Sequence, residues 1–382
     1  MPRVLLILPS ATYRAPDFLA AARRLGVDVV VASDHRQALM SERALVIALR
    51  DPERAADAIV DHAPFDAIVA VDDQGARAAA HASARLGLRG NPPEAAARAR
   101  DKAAMRAALD AAGVPQPRYR IDDLHGIGFP CVIKPRSLSG SRGVIRADTP
   151  AEAAAAAERI RRIVPGESLL VEEFVGGPEV AVEGLLANGR LRLLAVFDKP
   201  DPLEGPFFEE TIYVTPSRLP GLEPLEAATA AAARALGLTE GPIHAELRVG
   251  AEPKVIEIAG RSIGGLCSRT LRFGLGVSLE ELILRHALGM DLDGMQRERT
   301  AAGVMMLPIP RSGTLVEVGG VDDARAVPGI AGIEITIPSG HRVEALPEGD
   351  RYLGFVFARA ERPEQVEAAL REAHDRLAIR VE

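Results

Sequence analysis

The hydrophobic positions of the first hundred residues come in short continuous runs separated by amphipathic stretches. Residues 4–8, 27–32 and 67–71 are apolar runs of the length of buried parallel strands. Residues 15–25 between the first two runs have a helical period and end at a glycine. No GxGxxG follows the first run, so a dinucleotide fingerprint is missing. The pattern predicts an open parallel α/β layer over residues 1–97.

After this layer the periodicity changes twice. A Pro-Pro break precedes a continuous helical period over residues 94–112, and residues 129–261 are rich in strand-like runs. Beyond residue 301, short strands punctuated by Gly and Pro lead to a final helix. We therefore divide the chain into 1–97, 98–300 and 301–382. Further helices are expected at residues 151–162, 225–236, 279–288 and 364–376.

Composition narrows the functional classes. Of the 382 residues, 47% are hydrophobic and 26% are charged, and the net charge of -7 is spread without a basic run. A nucleic-acid partner is therefore not expected. No stretch approaches the ~20 apolar residues of a membrane span, so we expect a cytoplasmic protein without a membrane partner. Cys131 and Cys267 stand alone and are expected to be small buried hydrophobes rather than disulfide or zinc ligands.

Two acidic residues on neighbouring strand-like runs carry the first chemical signal. Residues 243–249 and 254–258 flank a four-residue turn, which pairs Val249 with Lys254 and Leu247 with Ile256, and places Glu246 opposite Glu257. Two anions so opposed repel by ~4 kcal/mol at about 4 Å in an effective dielectric of about 20. A cation between them reverses the sign, and oxygen-only ligands favour Mg²⁺ or Mn²⁺.

The alternative for this hairpin is a solvated face on which two acids cost little. The other face of the hairpin is apolar and suits a core, with Ile256 among its members, whereas the polar side chains share one side. This segregation favours a functional site.

Two further segments have chemistry of their own. Lys134 ends an apolar strand and precedes a loop of small residues at 137–144, which suits phosphate binding through backbone N–H groups but also fits a flexible connection. A strand at 169–175 leads through a turn to Glu179. Its backbone could bind an adenine edge and the carboxylate could accept ribose hydroxyls.

In this order, these pieces resemble the ATP-grasp superfamily of carboxylate-amine ligases over roughly residues 1–290. The resemblance implies an α/β and α+β multidomain protein: an N-terminal open parallel α/β layer, a central two-lobed ATP-grasp region with a mobile lobe at about residues 128–175, and a small C-terminal α+β module. It implies ATP and Mg²⁺ (or Mn²⁺), with Glu246 and Glu257 as metal ligands. The implied ATP-binding residues are Lys102, Lys134, Ser139, Gly140, Ser141, Gly143, Val144, Glu172, Glu173, Phe174, Val175 and Glu179.

The resemblance also implies roles at the substrate end. Arg261 matches the catalytic arginine that follows the second metal carboxylate; its alternative is a surface ion pair. Gly264 and Gly265 would let backbone approach the same oxygens. The family commonly has Asn at the position of Ala259, so one metal ligand is missing.

Two side chains were assigned to substrate with alternatives left open. Glu209, or its neighbour Glu210, could hold the ammonium of an amino acid or lie in a solvated loop. His244 could face substrate or fill a polar gap. Residues 349–358 and the helix after them resemble the terminal domain of bacterial L-amino-acid ligases.

The predicted function is an ADP-forming ligase that couples a small-molecule carboxylate to an amine, with a homodimer possible. The alternatives are a bicarbonate-activating, carboxylase-like enzyme and a non-catalytic ATP-binding module.

Overall fold

The N-terminal layer is a parallel four-stranded sheet. The computed structural model describes residues 1–9, 12–35 and 44–382; residues 10 and 11, in the loop after the first strand, lie outside it. The sheet has the order β3-β2-β1-β4, and every neighbouring pair is parallel. The predicted open α/β layer is confirmed. Its elements are β1 (Arg3–Ile7), α1 (Ala15–Leu25), β2 (Asp28–Ser33), β3 (Leu45–Val46), α2 (Pro52–Val60), β4 (Ala67–Ala70) and α3 (Asp73–Leu86).

Helix α3 begins close to the end of β4. Asp72 is its N-cap and accepts a hydrogen bond from the Gln74 N–H at 3.3 Å, so Asp73 is the first helical residue. Capping by a side chain directly after β4 places two acidic residues at the carboxyl edge of the sheet.

The predicted continuous helix 94–112 is wrong, because the chain forms two helices, α4 (Pro93–Arg100) and α5 (Lys102–Ala111). Asp101 between them is extended, and its carboxylate accepts from the N–H groups of Ala103 and Ala104 at 2.9 and 3.2 Å. A capping aspartate competes with helix continuation in this way. The break puts Lys102 at the first position of α5.

The next lobe is an antiparallel sheet of order β5-β8-β6-β7 covered by one helix. Its core includes Cys131, which is fully buried and has a free thiol, as predicted. The elements are β5 (Tyr119–Ile121), β6 (Cys131–Pro135), β7 (Ile145–Ala147), α6 (Pro150–Ile163) and β8 (Leu169–Glu173).

An antiparallel eight-stranded sheet is the largest layer, with the order β13-β12-β9-β10-β11-β16-β20-β18. Because strands on both sides of residue 300 belong to it, the predicted boundary there falls within one continuous sheet. The elements up to that point are β9 (Glu179–Ala187), β10 (Arg190–Lys199), β11 (Ile212–Thr215), α7 (Glu223–Leu236), β12 (Gly241–Arg248), β13 (Lys254–Ala259), β14 (Arg272–Phe273), β15 (Val277–Ser278) and α8 (Leu279–Ala287).

The C-terminal segment adds a second core on the far half of this sheet. Strand β11 contributes Ile212 and Val214 to that core, and the rest comes from residues beyond 300. No helix among the described residues is long and apolar enough to cross a membrane. The elements are β16 (Ala301–Leu307), β17 (Gly313–Gly319), α9 (Val321–Arg325), β18 (Ile330–Ile335), β19 (Arg342–Val343), β20 (Gly354–Ala360), α10 (Pro363–Asp375) and β21 (Ala378–Val381).

The hairpin β12–β13 pairs Glu246 with Glu257, as predicted, but the register beyond this pair differs. Leu247 lies opposite Val255 and Arg248 opposite Lys254, because a bulge interrupts the ladder. The predicted pairings of Val249 with Lys254 and of Leu247 with Ile256 are therefore wrong. Val249 instead donates its N–H to the carbonyl of Pro178 at 2.8 Å.

The bulge also changes which side chain enters the core. Val255 is fully buried in the core beneath the hairpin. Ile256, predicted for that core, lines the cavity on the other side. An extra residue on one strand shifts the alternation of side chains by one position, which explains the exchange.

Candidate active site

One cavity of about 400 Å³ lies where the N-terminal layer, the β5–β8 lobe, the large sheet and the C-terminal segment meet. All but two of the predicted site residues line it, although they come from segments far apart in sequence. The two exceptions are Gly143 and Glu209. The cavity is therefore the candidate site, and its chemistry follows from the side chains that face it.

The opposed carboxylates face the cavity and are only partly covered. The side chains of Glu246 and Glu257 are 16% and 29% exposed. Each has an ammonium neighbour: Lys199 Nζ lies 2.9 Å from Glu246, and Lys102 Nζ lies 3.2 Å from Glu257. Two carboxylates from neighbouring strands that reach one cavity form an oxygen donor set suited to Mg²⁺. Ala259 lines the same cavity and supplies no ligand atom.

Lys199 lies at the centre of a carboxylate cluster that sequence reasoning missed. Its Nζ is 2.7, 2.8 and 2.9 Å from carboxylate oxygens of Glu179, Glu210 and Glu246. These three oxygens are close enough together to hold a metal ion. The ammonium already bonds to all three, so we assign the cluster to Lys199. The sequence does contain a signal that could have pointed to Lys199, since Lys199-Pro200 ends an apolar strand in the same way as Lys134-Pro135.

Glu210, rather than Glu209, is the acidic residue of this segment that reaches the cavity. Burial, reinforced by the charge of Glu246, raises the pKa of Glu210 to about 7. Tyr213 donates its hydroxyl to the other Glu210 oxygen at 2.7 Å. Of the two acidic residues predicted for this segment, Glu210 lines the cavity and Glu209 does not.

A buried ion network around Glu172 lies at the cavity wall. Glu172 accepts from Arg106 Nε at 2.6 Å with one oxygen and lies 2.7 Å from Lys134 Nζ with the other. Arg106 also donates to the backbone carbonyls of Val255 and Ile256 at 2.9 and 2.6 Å, so it fixes the bulge beside Glu257. Burial lowers the pKa of Lys134, against the opposing charge of Glu172.

The predicted adenine edge begins beyond Glu172. The N–H groups of Glu173 and Phe174 donate to the carbonyls of Arg118 and Pro130 at 2.9 and 3.2 Å. The Val175 N–H has no acceptor within residues 1–9, 12–35 and 44–382 and lies at the cavity wall. The apolar walls here come from Val132, Val144, Phe174, Leu203, Phe208 and Ile256.

The small-residue loop is shaped by left-handed backbone. Gly140, Ser141 and Gly143 have φ values of 64°, 56° and 71°. Successive conformations of this kind turn N–H groups toward one side, which suits an anion. Gly143 faces away from the cavity, because its N–H donates to the carbonyl of Pro347 at 2.9 Å.

The C-terminal segment reaches over this loop. Arg142 donates to the Glu348 carbonyl at 2.9 Å, and Arg159 makes a two-point ion pair with the Glu348 carboxylate at 2.6 and 2.8 Å. Tyr352, a few residues further on, lines the cavity. One segment therefore contacts both the loop and the far end of the cavity.

Arg261 and His244 occupy that far end, with Gly264 and Gly265 along its wall. Arg261 Nη2 donates to Asp73 Oδ2 at 2.9 Å. His244 lies 2.5 Å from Glu183 and 3.4 Å from Glu246. Burial alone would lower the pKa of His244, but the hydrogen bond and charge of Glu183 raise it to about 9.

A buried thiol completes the apolar floor. Cys267 lines the cavity and contacts the Met306 sulfur at 3.7 Å. Burial raises the pKa of this thiol, so it stays neutral and acts as a small apolar group, as predicted.

Two protein-family models match parts of this chain. The ATP-grasp domain family matches residues 127–270. The family described as L-amino acid ligase C-terminal domain 2 matches residues 305–382.

Two relatives are similar to this chain over part of their length. An uncharacterized protein of Sinorhizobium fredii is 30% identical over 72% of this chain and 59% of its own length. The alanine–anticapsin ligase of Bacillus amyloliquefaciens is 29% identical over 59% of this chain and 54% of its own length. This chain thus spans little more than half the length of these relatives.

Solved structures extend the similarity to the whole fold. The L-amino acid ligase from Bacillus licheniformis superposes with a TM-score of 0.85 at 26% identity, covering 100% of this chain and 99% of its own. Phosphoribosylglycinamide synthetase from Anaerococcus prevotii, at 16% identity and a TM-score of 0.74, shares the fold. Residues 127–270 therefore match the ATP-grasp domain family and residues 305–382 the L-amino acid ligase C-terminal domain, within a fold similar to that of a solved L-amino acid ligase.

Proposed function

We propose that this protein is an ADP-forming ligase that phosphorylates a carboxylate with ATP and couples the acyl phosphate to the amino group of an amino acid. The observation that carries the proposal is the shared cavity. It gathers an opposed carboxylate pair, a small-residue loop with two lysines, and the partly buried Arg261 within about 400 Å³. Relatives named as amino acid ligases support the same reaction class.

ATP would extend from the apolar pocket to the carboxylate pair. Val175 offers a free N–H to the adenine edge, and Glu179 would accept ribose hydroxyls. The phosphates would lie against the loop N–H groups, with Lys102 and Lys134 offsetting their charge. Each of these side chains already lines the cavity, which supports the assignment.

Glu246 and Glu257 would hold the metal ion, since both present carboxylate oxygens to the phosphate region of the cavity. When bound, Mg²⁺ supplies charge neutralisation for the transferring phosphoryl group. The protein's own contribution is to set the spacing of the two carboxylates. The β12–β13 ladder does this, and Arg106 fixes the bulge next to Glu257.

The reaction then needs two bond exchanges. A carboxylate oxygen of the acid attacks the γ-phosphorus, the bond to the β-phosphate oxygen breaks, and ADP leaves. The amine then attacks the acyl carbon, phosphate leaves, and the amine proton is lost. Arg261 would stabilise the oxyanion of the tetrahedral intermediate, because a fixed guanidinium places donors where negative charge develops.

The amino-acid end of the cavity would be formed by Glu210, Tyr213 and His244 around the apolar floor of Cys267 and Met306. A carboxylate beside an apolar floor suits the ammonium and side chain of a small amino acid. We expect small-molecule substrates on both sides of the new bond. Homodimerisation stays a prediction that light scattering on the purified protein would test.

Product analysis tests the proposal. Purified protein with ATP, Mg²⁺ and pooled amino acids is expected to release ADP and phosphate together with a dipeptide-like product. Release of AMP and pyrophosphate would rule the proposal out. Bicarbonate-dependent ADP release without any amino acid would support the carboxylase-like alternative, and ATP binding without turnover would support the non-catalytic one.

The missing metal ligand gives a second prediction. Ala259→Asn adds an amide oxygen two residues after Glu257, on the same side of β13. The Mg²⁺ concentration for half-maximal ADP release is expected to fall by about 2–10-fold, because one protein ligand replaces a water. Ala259→Val adds bulk without an oxygen and serves as the control. Equal Mg²⁺ dependence in the Asn variant and the wild type would show that position 259 does not face the ion.

A further inference from the structure

The N-terminal layer contributes a charged side chain to the far end of the cavity. Asp73 is the first residue of α3, and Arg261 follows the end of β13 by two residues. Although 188 residues separate them, Arg261 Nη2 donates to Asp73 Oδ2 at 2.9 Å. We propose that Asp73 is the positioning residue for Arg261, so that the N-terminal layer completes the active site; this inference rests on the proposed function.

Burial makes this ion pair more than a surface contact. The side chains of Arg261 and Asp73 are 14% and 18% exposed. Burial would raise the pKa of Asp73, but the charge and hydrogen bond of Arg261 lower it below its usual value. A partly buried charged hydrogen bond fixes a planar guanidinium better than an exposed pair does. Asp73 therefore stays ionised and holds Arg261 in one orientation.

Arg261 is held in place and still has unused hydrogen-bond donors. A guanidinium has five N–H donors. Arg261 uses one of them for Asp73 and one for the Ser262 carbonyl at 3.1 Å, so three remain within the described part of the chain. Arg248, by contrast, engages all three of its nitrogens with Gly177, Leu203 and Glu179 and so uses three of its five donors. Of these two cavity arginines, Arg261 therefore has more donors left for a reacting oxyanion, three against two.

Among the residues that the structure describes, Asp73 has no second side-chain hydrogen-bonding partner. Lys102 and Arg100 lower its pKa from further away, yet neither forms a hydrogen bond with it in the described ranges. Lys102 instead donates to the Leu138 carbonyl at 2.6 Å and to Glu257. The carboxylate of Asp73 is thus committed to the arginine and not to the phosphate lysine.

Loss of this contact should misplace the guanidinium rather than remove it. A displacement of about 1 Å in a catalytic group can cost about 100-fold in rate. Asp73→Ala is therefore expected to lower kcat for amine-dependent ADP release by about 30–100-fold, with the KM for ATP changed less than about twofold. Asp73→Asn keeps a hydrogen-bond acceptor in the same place and is expected to recover part of this loss.

A double-mutant cycle separates positioning from a general structural role. If Asp73 acts through Arg261, Asp73→Ala changes kcat by less than about twofold in an Arg261→Met background. Asp57→Ala in α2 removes an exposed ion pair to Arg85 of α3, the helix that begins with Asp73; it is the matched control and is expected to leave kcat unchanged. Free guanidinium should restore activity to Arg261→Ala only while Asp73 is present to bind it.

Three results would overturn the inference. In the first, the losses of kcat caused by Asp73→Ala and Arg261→Met multiply in the double variant. In the second, Asp73→Ala acts mainly on the KM for ATP or on the Mg²⁺ dependence. In the third, free guanidinium restores activity to Arg261→Ala whether or not Asp73 is present. A wild-type protein without amine-dependent ADP release would instead overturn the proposed function itself, and the inference with it. If the wild type turns over and the Asp73 variants have the same kcat as the wild type, only the positioning role is refuted.

Discussion

Glu257→Gln is expected to lower ADP release by about 10³-fold, or about 4 kcal/mol of transition-state stabilisation. The amide keeps the size of the side chain but removes one of the two charges that face each other across β12 and β13. The remaining carboxylate of Glu246 is shared with Lys199. Isothermal titration should show that Mg²⁺ no longer increases nucleotide affinity, while steady-state assays measure the loss of turnover.

The control for this change lies in the same hairpin. Glu252 is exposed in the turn between the two strands, and Glu252→Gln should leave turnover and Mg²⁺ dependence unchanged. If Glu257→Gln kept more than about a tenth of the wild-type rate, the carboxylate pair would not be the metal site. If a cellular activity survived the change while turnover was lost, the non-catalytic alternative would be favoured.

Arg106→Leu should lower the free energy of unfolding by about 3–5 kcal/mol, the range for removing one partner of a buried ion pair. Arg106 is fully buried and joins the Glu172 carboxylate to two carbonyls of the bulged strand. Leucine would fill part of the space but leave those acceptors without a donor. Urea unfolding followed by circular dichroism and by fluorescence of a bound nucleotide analogue would measure the loss.

A neighbouring pair provides the comparison. Arg118 binds Glu173 at 2.6 Å, but its side chain is 70% exposed, so Arg118→Leu should cost less than about 1 kcal/mol. Nucleotide affinity should fall with Arg106→Leu and not with Arg118→Leu, because only Arg106 bonds to the Ile256 carbonyl next to Glu257. Equal unfolding midpoints for the two variants would contradict the assigned role of Arg106.

Local patterns were enough to predict much of this fold. Continuous apolar runs indicated the parallel layer, and two strand-like runs around a turn indicated the hairpin with Glu246 opposite Glu257. The pairing was predicted correctly although the turn and the register near it were wrong. The last pair before the turn is Arg248 with Lys254, which is one residue earlier in β12 than predicted. The bulge adds one residue to β13 before Glu257, so Glu257 still lies opposite Glu246. A bulge depends on bonds from outside the hairpin, here from Arg106, and strand periodicity does not contain that information.

Helix boundaries were also predicted only in part from the hydrophobic period. A helical period continued through Asp101, yet its side chain caps a new helix there. In the segment of Glu209 and Glu210, the sequence left both acidic residues as candidates, and in the structure Glu210 is the one that lines the cavity.

By itself, the sequence determined the types of layer, the carboxylate pair and the chemical character of the phosphate loop, because these depend on neighbours within a few residues. Only the tertiary structure decided which distant charges meet: Lys199 with three carboxylates, Arg106 with Glu172, and Asp73 with Arg261. The physical reason is that a buried charge is stabilised by whichever opposite charge the fold brings within hydrogen-bonding distance. That partner is set by the packing of whole layers and leaves no periodic signal in the chain.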